Sequence, residues 1–200
     1  MMKTFTHKFA LHPAACEEVI ALPAALRGQA FRLMEKLEAD GHLARHNHKL
    51  IGAGLYQLLI EDGTAAAGLY YYKNESDFLL ISAVFGKRKR TPAEAIQLAR
   101  QRLENTMKPA DLNKLKKSML NTEEALKAYA EADQELAVLE ALHAMREHAN
   151  LSKTELAARL NIKLPSLLGL ERNPLGASMK TLTKYARACG ATIELNIKYK

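Results

Sequence analysis

The pattern of hydrophobic and polar residues predicts four β-strands in the first half of the chain, and in the first of them apolar residues alternate with polar residues and Ala10. The stretches are Lys3 to Leu11, Leu55 to Ile60, Leu69 to Lys73 and Phe78 to Phe85. Asp62-Gly63 separates the second stretch from the third and is a strong hairpin signal. Phe78 to Phe85 is the most apolar of the four, so we expect it at the centre of a sheet.

Helical spacing of apolar residues accounts for most of the remaining first half. A short helix is expected over about Ala14 to Ile20, a longer one over Pro23 to Gly41, and a third over Thr91 to Asn105. Between the second helix and the next strand, His42 to Gly54 is expected to be an irregular loop. The predicted order is one strand, two helices, three strands and a helix.

The second half is predicted to be mainly helical. An apolar stripe runs from Leu126 to about His148, too long for one helix of a compact domain, and we expect a break near Ala132-Asp133. Leu151 to Asn173 then has the pattern of two short helices joined by a tight turn. Ser152 can cap the first of these helices, and Glu155 completes a capping box.

The turn and the second short helix are also marked by single residues. Asn161 lies where the turn needs a left-handed conformation, and Ile162 is expected to fill the turn. Pro165 is tolerated because it falls in the first helical turn, where backbone N–H groups have no intrahelical partner. Leu167 and Leu170 are predicted to face the core.

The end of the chain is predicted to contain one more helix and a strand. Ser178 can cap the helix, and Gly190 ends it. Thr192 to Tyr199 alternates polar and apolar residues, which predicts a strand with an open edge. Such an edge must pair with a second copy or with the first-half sheet, so we expect a homodimer through the C-terminal domain.

Composition narrows the class of protein. With 200 residues, 48% hydrophobic and 26% charged, the chain is expected to be globular, with one large domain or two small ones. Its net charge of +7 fits a polyanionic partner without requiring one. Cys16 and Cys189 are far apart in sequence, and no signal peptide or membrane span is apparent. A cytoplasmic protein without membrane contact is therefore expected.

Residues 134–197 resemble the Cro/repressor-like (XRE) helix-turn-helix family, to which many antitoxins belong. Residues 151–160 fit the frame Leu-x-x-x-Glu-Leu-Ala-x-x-Leu, and the turn, an apolar pair and Glu171 follow. The resemblance implies that the second short helix enters the major groove of operator DNA. Its base-reading positions would be Leu164, Pro165 and Gly169, which offer no side-chain hydrogen bond, although Leu164 could touch a thymine methyl group.

Several other residues of this region are candidate phosphate contacts, which position a protein on DNA without specifying sequence. An alternative interpretation is that they are ordinary helix caps and surface charges. The candidates are Lys153, Thr154, Lys163, Ser166, Ser178 and Lys180.

Residues 5–106 resemble the RelE/HigB-type toxin family, in its phage-derived HigB-like branch. The matching positions are Lys49-Leu50, Gly54-Leu55-Tyr56-x-Leu58, Asp62-Gly63, Leu69-Tyr70, Leu79-Leu80, Lys87 and Arg90-Thr91-Pro92. The resemblance implies an mRNA endoribonuclease that acts on the ribosome with a base, an acid and phosphate-binding cations.

The residues that would carry this chemistry are incomplete. Lys87 and Tyr70 are the catalytic candidates, and Arg88, Lys89 and Arg90 are candidate RNA contacts. Where the family has arginines on the hairpin strands, this chain has Leu59 and, by alignment, Ala67. Where the family has His-Gly-Phe, it has Ser82-Ala83-Val84. The basic loop 87–90 would otherwise be a solvated loop, or an acceptor for acidic side chains of the second half.

No metal or other cofactor is expected. His42, His46 and His48 share one predicted loop, but no Cys, Asp or Glu lies close in sequence to complete a ligand set.

These observations predict an α+β fold: a RelE-like small antiparallel sheet with helices, then an all-α helix-turn-helix domain with a C-terminal strand. The expected domains are 1–106 for the toxin-like module, 107–133 for a linker and toxin-contacting helix, and 134–200 for the antitoxin-like module. The leading hypothesis is a single-chain toxin–antitoxin fusion whose second half covers the basic loop and strand face of the first and represses its own promoter. One alternative is a non-enzymatic regulator that has lost the catalytic residues of the family, and the other is a latent ribonuclease released by proteolysis.

Overall fold

The computed structural model describes residues 7–43, 48–52, 54–75, 77–86, 92–104 and 109–196. The chain forms two compact units, residues 1–133 and residues 134–200. No helix within the described residues is long and apolar enough to cross a membrane. Cys16 and Cys189 are free thiols, and both are buried.

The first unit contains a six-stranded sheet. Strand β1 is parallel to β5, the other pairs are antiparallel, and the order across the sheet is β2-β3-β4-β5-β1-β6. The strands are β1 (Phe9–Leu11), β2 (His48–Gly52), β3 (Leu55–Glu61), β4 (Ala66–Asn74), β5 (Asp77–Phe85) and β6 (Ala110–Asp111). The α+β fold and the interior position of β5 are confirmed. The irregular loop expected over 42–54 is wrong at its end, because His48–Gly52 pairs with β3.

Eight α-helices are described. They are α1 (Pro13–Ile20), α2 (Ala24–Asp40), α3 (Pro92–Glu104), α4 (Leu112–Met119), α5 (Glu123–His148), α6 (Lys153–Arg159), α7 (Leu164–Arg172) and α8 (Met179–Ala188). The predicted break near Ala132-Asp133 is wrong, because helix α5 is continuous through both residues. The segment 107–133, predicted to be a linker and a contacting helix, contains β6, α4 and the start of α5.

Neighbouring tyrosines of β4 pack on opposite faces of the sheet, as strand alternation predicts. Tyr70 and Tyr72 join the apolar cluster that packs against Ala95 and Ala99 of α3. Tyr71 lies among the rings of Tyr56, Phe78 and Phe9, with centroid distances of 5.4 to 6.1 Å.

The second unit has a core formed by its helices. Its fully or nearly buried members are Leu142, Leu151, Leu156, Ala157, Leu167, Tyr185 and Cys189. The phenol of Tyr185 is buried and donates a hydrogen bond of 3.2 Å to the carbonyl of Leu142. Leu170 packs against the same cluster, so the predicted inward positions of α7 are confirmed.

Two predictions for the second unit are wrong. Ile162 does not fill the turn, because its side chain is exposed. Residues 192–196 form no strand, and residues 197–200 of the predicted strand lie outside the described part of the chain. Leu195 is 76% exposed, so the alternating pattern here finds no surface to pack on. The homodimer was predicted because a strand edge would need a partner, and residues 192–196 supply no such edge.

Candidate functional site

Helix α6 and the turn that follows are built by local hydrogen bonds. The backbone N–H of Glu155 donates to the Ser152 hydroxyl at 3.2 Å, and the Glu155 carboxylate accepts from the Ser152 N–H at 2.7 Å. This is the predicted capping box. Hydrogen bonds with the Ser152 side chain and backbone lower the pKa of Glu155. Asn161 has a φ of 54°, the left-handed conformation predicted for the turn.

Helix α7 is held on α6 by packing and by one ion pair. Leu167 is fully buried in the core, and Lys153 Nζ at the start of α6 lies 2.7 Å from Glu171 Oε2 near the end of α7. Because this pair joins the two helices, Lys153 has a structural partner in addition to its predicted role as a phosphate contact. Pro165 lies in the first turn of α7, as predicted.

The outward side of α7 is exposed along its length. Leu164, Pro165, Ser166, Leu168 and Gly169 all lie at the surface. The predicted phosphate contacts Thr154, Lys163 and Lys180 are exposed as well. Ser178 is exposed, and its hydroxyl caps α8 by accepting from Thr181 N–H at 3.2 Å. The structure thus places the seven predicted DNA-contacting residues on or next to α6, α7 and the start of α8.

The charge of this region is strongly positive. Residues 153–188 contain two acidic residues, and both have partners: Glu155 is in the capping box, and Glu171 pairs with Lys153. The same stretch carries seven basic residues, which are Lys153, Arg159, Lys163, Arg172, Lys180, Lys184 and Arg187. Such a surface favours binding of a polyanion.

The described strands β3, β4 and β5 of the first unit have no comparable cationic face. Strands β3, β4 and β5 contain one basic residue, Lys73. Its ammonium donates to the Gly41 carbonyl at 3.1 Å and lies 5.5 Å from the Phe78 ring centroid. Leu59 pairs with Gly68, not with Ala67, which is fully buried opposite Ile60. Neither Ala67 nor Gly68 is an arginine, so the position on β4 where the family has an arginine has none here.

Tyr70, a predicted catalytic residue, is buried in the first unit. The residue is only 1% exposed, it packs in the cluster under α3, and its hydroxyl accepts a hydrogen bond of 2.8 Å from the Gln57 side chain. These contacts give Tyr70 a structural role, and its catalytic role stays a prediction. The other catalytic candidate, Lys87, and the candidate RNA contacts Arg88, Lys89 and Arg90 lie outside the described residues.

A partly buried polar cluster, not predicted from the sequence, lies where β1 ends beside β5. The Glu18 carboxylate accepts from Ala83 N–H at 2.7 Å and from the Ser82 hydroxyl at 2.9 Å. Arg102 of α3 donates to the same carboxylate at 2.7 Å and also to the Ile81 carbonyl. The side chains of Glu18 and Arg102 thus form hydrogen bonds with backbone groups of β5 that lie beyond the end of β1. Burial raises the pKa of Glu18, but the hydrogen bonds from Arg102, Ala83 and Ser82 outweigh it and lower the pKa overall.

His12 lies close to this cluster and caps α1. Its Nδ1 accepts a hydrogen bond of 3.2 Å from Ala14 N–H, and its buried Nε2 has no hydrogen-bond partner among the described residues. Burial and the nearby Arg102 charge lower the pKa of His12. The neutral imidazole is thus the form that fits this site.

The predicted histidine group is divided by the structure. His46 lies outside the described residues, and His42 Nδ1 lies 3.0 Å from the Asp40 carbonyl. His48 is hydrogen-bonded to the Tyr71 hydroxyl and stacks on Tyr56 at 5.2 Å between centroids. Burial lowers the pKa of His48.

Residues 109–133 pack on the first unit, to which they belong. Strand β6 pairs with β1, and α4 packs on α1 and α2. Arg27 of α2 donates to the Met119 carbonyl at 3.0 Å and to the Asn121 side chain at 2.8 Å, and Arg32 pairs with Asp133 at 2.6 Å.

The start of α5 lies unusually close to α2. A Cβ on Gly28 would lie 2.0 Å from the Ala125 carbonyl oxygen, so only glycine fits there. The Tyr129 hydroxyl donates to the Glu35 carboxylate, and burial together with this hydrogen bond raises the pKa of Tyr129 to about 12. The described contacts of 109–133 therefore lie on α1, α2 and the β1 edge, not on the strand face that the covering mechanism requires.

Two family models match different parts of this chain. Residues 17–104 match the family Phage derived protein Gp49-like (DUF891), and residues 142–196 match the family Helix-turn-helix. The chain therefore joins a phage-derived, Gp49-like region to a helix-turn-helix region, as the predicted fusion requires.

The curated proteins to which the chain is similar include antitoxin HigA1 of Mycobacterium tuberculosis, from strains CDC 1551 / Oshkosh and ATCC 25618 / H37Rv. In both, 35% of residues are identical over 65 residues, which is 32% of this chain and 44% of the relative. The chain thus spans less than half the length of these curated relatives. No solved structure matches it.

Proposed function

We propose that this protein is a single-chain regulator of the toxin–antitoxin type, whose second unit binds the DNA upstream of its own gene and represses transcription. The observation that carries the proposal is the helix pair α6–α7, in which the capping box, the left-handed Asn161 and the Lys153–Glu171 pair hold an exposed α7 within a cationic surface. The helix-turn-helix match over 142–196 and the likeness to an antitoxin support it.

In this proposal, residues 109–133 are the segment that packs on the HigB-like module. Their contacts with α1, α2 and the β1 edge hold the segment on the first unit, and its covalent attachment keeps it there at a high effective concentration. If the first unit were instead an active ribonuclease, these contacts would inhibit it by fixing the helices and the sheet edge, and not by covering the strand face.

The first unit is proposed to be a non-enzymatic scaffold. Cleavage of RNA needs cations around the scissile phosphate, and Lys73, the one basic residue of β3, β4 and β5, is bound to the Gly41 carbonyl. The latent mRNA endoribonuclease remains the alternative function. It would depend on Lys87 as the catalytic residue, with Arg88, Lys89 and Arg90 as contacts to mRNA on the ribosome.

The test is binding of the full chain to its own upstream DNA and to a shuffled duplex of equal composition, by fluorescence anisotropy at two salt concentrations. We expect tighter binding to the upstream duplex at both salt concentrations, because nonspecific phosphate attraction alone would not distinguish the two. Equal affinities for the two duplexes would contradict the proposal.

A matched pair of variants locates the DNA-binding surface. Lys163→Ala removes a predicted phosphate contact before α7, so affinity for both duplexes should fall and the salt slope should decrease by about 1. Lys127→Ala removes an exposed lysine from the part of α5 that belongs to the first unit and should leave both quantities unchanged.

A further inference from the structure

The outward side of α7 is apolar, which is unusual for a surface predicted to read base edges. Leu164 and Leu168 are one helical turn apart on the same stripe, and each is 37% exposed. On the adjacent stripe, Pro165 and Gly169 have no side-chain donor or acceptor. Ser166 is the polar residue among these outward positions.

The surroundings of this apolar stripe favour a polyanion over an apolar protein partner. Lys163 lies directly before Leu164, and Arg172 and Lys180 are exposed nearby in sequence, whereas Glu171 is paired with Lys153. A DNA duplex supplies both features that such a surface needs: charged phosphates at the rim of the major groove and apolar groups inside it.

We propose that α7 reads thymine methyl groups in the major groove, through Leu164 and Leu168. This inference rests on the proposed DNA binding and names the kind of sequence recognised. The C5-methyl group of thymine is the apolar feature of the groove, whereas cytosine presents an N4 amino donor that a leucine would leave without a partner. The site is thus rich in thymine where it faces α7.

The small residues beside the leucines allow the close approach that methyl contacts need. A Cβ at Gly169 would have no neighbouring atom within 4 Å, so the core does not require glycine at this position. Glycine at position 169 has no side chain beside Leu168, and the ring of Pro165 projects only a short way from the helix backbone. The backbone of α7 can therefore come near the base edges.

The test changes the DNA while leaving the protein intact. Upstream and shuffled duplexes are amplified with either deoxythymidine or deoxyuridine triphosphate, because uracil lacks only the methyl group, and binding to the full chain is measured by anisotropy. Thymine DNA should bind more tightly than uracil DNA by about fourfold for each methyl group that a leucine buries. Equal affinity for thymine and uracil DNA overturns the inference.

The variant Leu164→Ser/Leu168→Ser should lose this discrimination while it keeps the salt-dependent binding to either DNA. Its control is Leu175→Ser, which changes an exposed leucine outside α7 and should leave the thymine-to-uracil ratio unchanged. Circular dichroism checks that both variants are folded, as expected for exposed positions.

The outcomes separate this inference from the proposed function. A thymine preference without preference for the upstream duplex supports methyl reading and contradicts promoter repression. Preference for the upstream duplex with equal thymine and uracil affinities supports repression and overturns methyl reading. If Leu164→Ser/Leu168→Ser instead dissociates a dimer seen by analytical ultracentrifugation and leaves the thymine-to-uracil ratio unchanged, the stripe is a protein interface and the inference fails.

Discussion

Single polar side chains decide how the first unit ends its strands and begins its helices. Glu18 accepts hydrogen bonds from Ser82 and Ala83 where β1 no longer covers β5, and Arg102 completes the set. His12 caps α1 in its neutral form. Stability at these positions therefore depends on the protonation of individual groups.

Glu18→Gln should lower the free energy of unfolding by about 1 to 3 kcal/mol, because a half-buried guanidinium loses its charged partner. The lowered pKa of Glu18 means that this contribution is complete above the ordinary carboxyl pKa and is lost as the pH falls through the folded value. Urea unfolding at pH 7 and pH 3 tests this, and the deficit of the variant should shrink at pH 3.

The same substitution at an exposed pair is the control. Glu131 lies 3.9 Å from Lys127 on the surface of α5, and Glu131→Gln should change the free energy of unfolding by less than about 0.5 kcal/mol. Equal losses for the two variants would show that the Glu18 cluster is no more than a surface ion pair.

His12 should make stability fall on mild acidification. Its folded pKa is lowered, so its contribution is present above the unfolded histidine value and is lost as the pH falls through the folded value. His12→Asn keeps an acceptor for Ala14 N–H but cannot take up a proton. Thermal unfolding between pH 7 and pH 5 should be less pH-dependent in this variant, and an unchanged slope would assign the effect to other groups, such as His48.

The residues that sequence reasoning located are those whose partners are local. Ser152 and Glu155 are three residues apart, so the capping box could be recognised from the sequence alone. Arg102 and Glu18 are 84 positions apart, and no local pattern indicates that they meet. Tyr70 was assigned a role from family resemblance, and only the packing of α3 reveals that its ring is buried.

At the level of elements, helices α2 and α5 approach each other so closely at Gly28 that only glycine fits there. Gly28 and Ala125 bring the two helix backbones together, and Phe31 and Tyr129 pack beside them at 6.1 Å between centroids. Segment 123–133 is therefore fixed by shape as well as by the Arg32–Asp133 ion pair.

Gly28→Ala should displace the start of α5, because its methyl group would meet the Ala125 carbonyl, a backbone atom. Overpacking of this kind costs about 1 to 3 kcal/mol. Hydrogen exchange should show faster exchange in residues 123–133, and urea unfolding should show the loss. Gly169→Ala is the control in another helix, where nothing lies near the new methyl group, and should stabilise by up to about 1 kcal/mol.

The elements that were mispredicted depend on distant partners. Residues 106–118 are polar and basic, so their pattern indicates a linker, yet Leu112 and the adjacent Met119 are fully buried in the first unit and order α4. The reverse holds at 192–196, where alternation predicts a strand but no neighbouring strand is supplied. In both segments, the secondary structure depends on whether other parts of the fold provide a surface on which the segment can pack.

On the scale of the whole molecule, the two units differ in how their basic residues are distributed. Among the described residues, the second unit carries a cationic surface around α7, whereas the central strands of the first unit are almost without cations. This contrast agrees with the proposal that the second unit is the part of the protein that binds DNA.

Loosening segment 123–133 separates this account from a latent ribonuclease. If the segment restrains an active enzyme, the full-length Gly28→Ala variant should inhibit growth and protein synthesis when expressed. The scaffold account predicts normal growth and normal incorporation of labelled amino acid, as for the Gly169→Ala control. Translation arrest with Gly28→Ala alone would establish the enzymatic alternative.

The most direct test of DNA binding by the second unit is hydrogen–deuterium exchange of the full chain with and without its upstream duplex. We predict slower exchange in α6, α7 and the first turn of α8, around the exposed Lys163, Ser166 and Lys180. Strands β3 to β5 should be unaffected. Protection confined to the first unit, with α6 and α7 unchanged, would contradict the central claim.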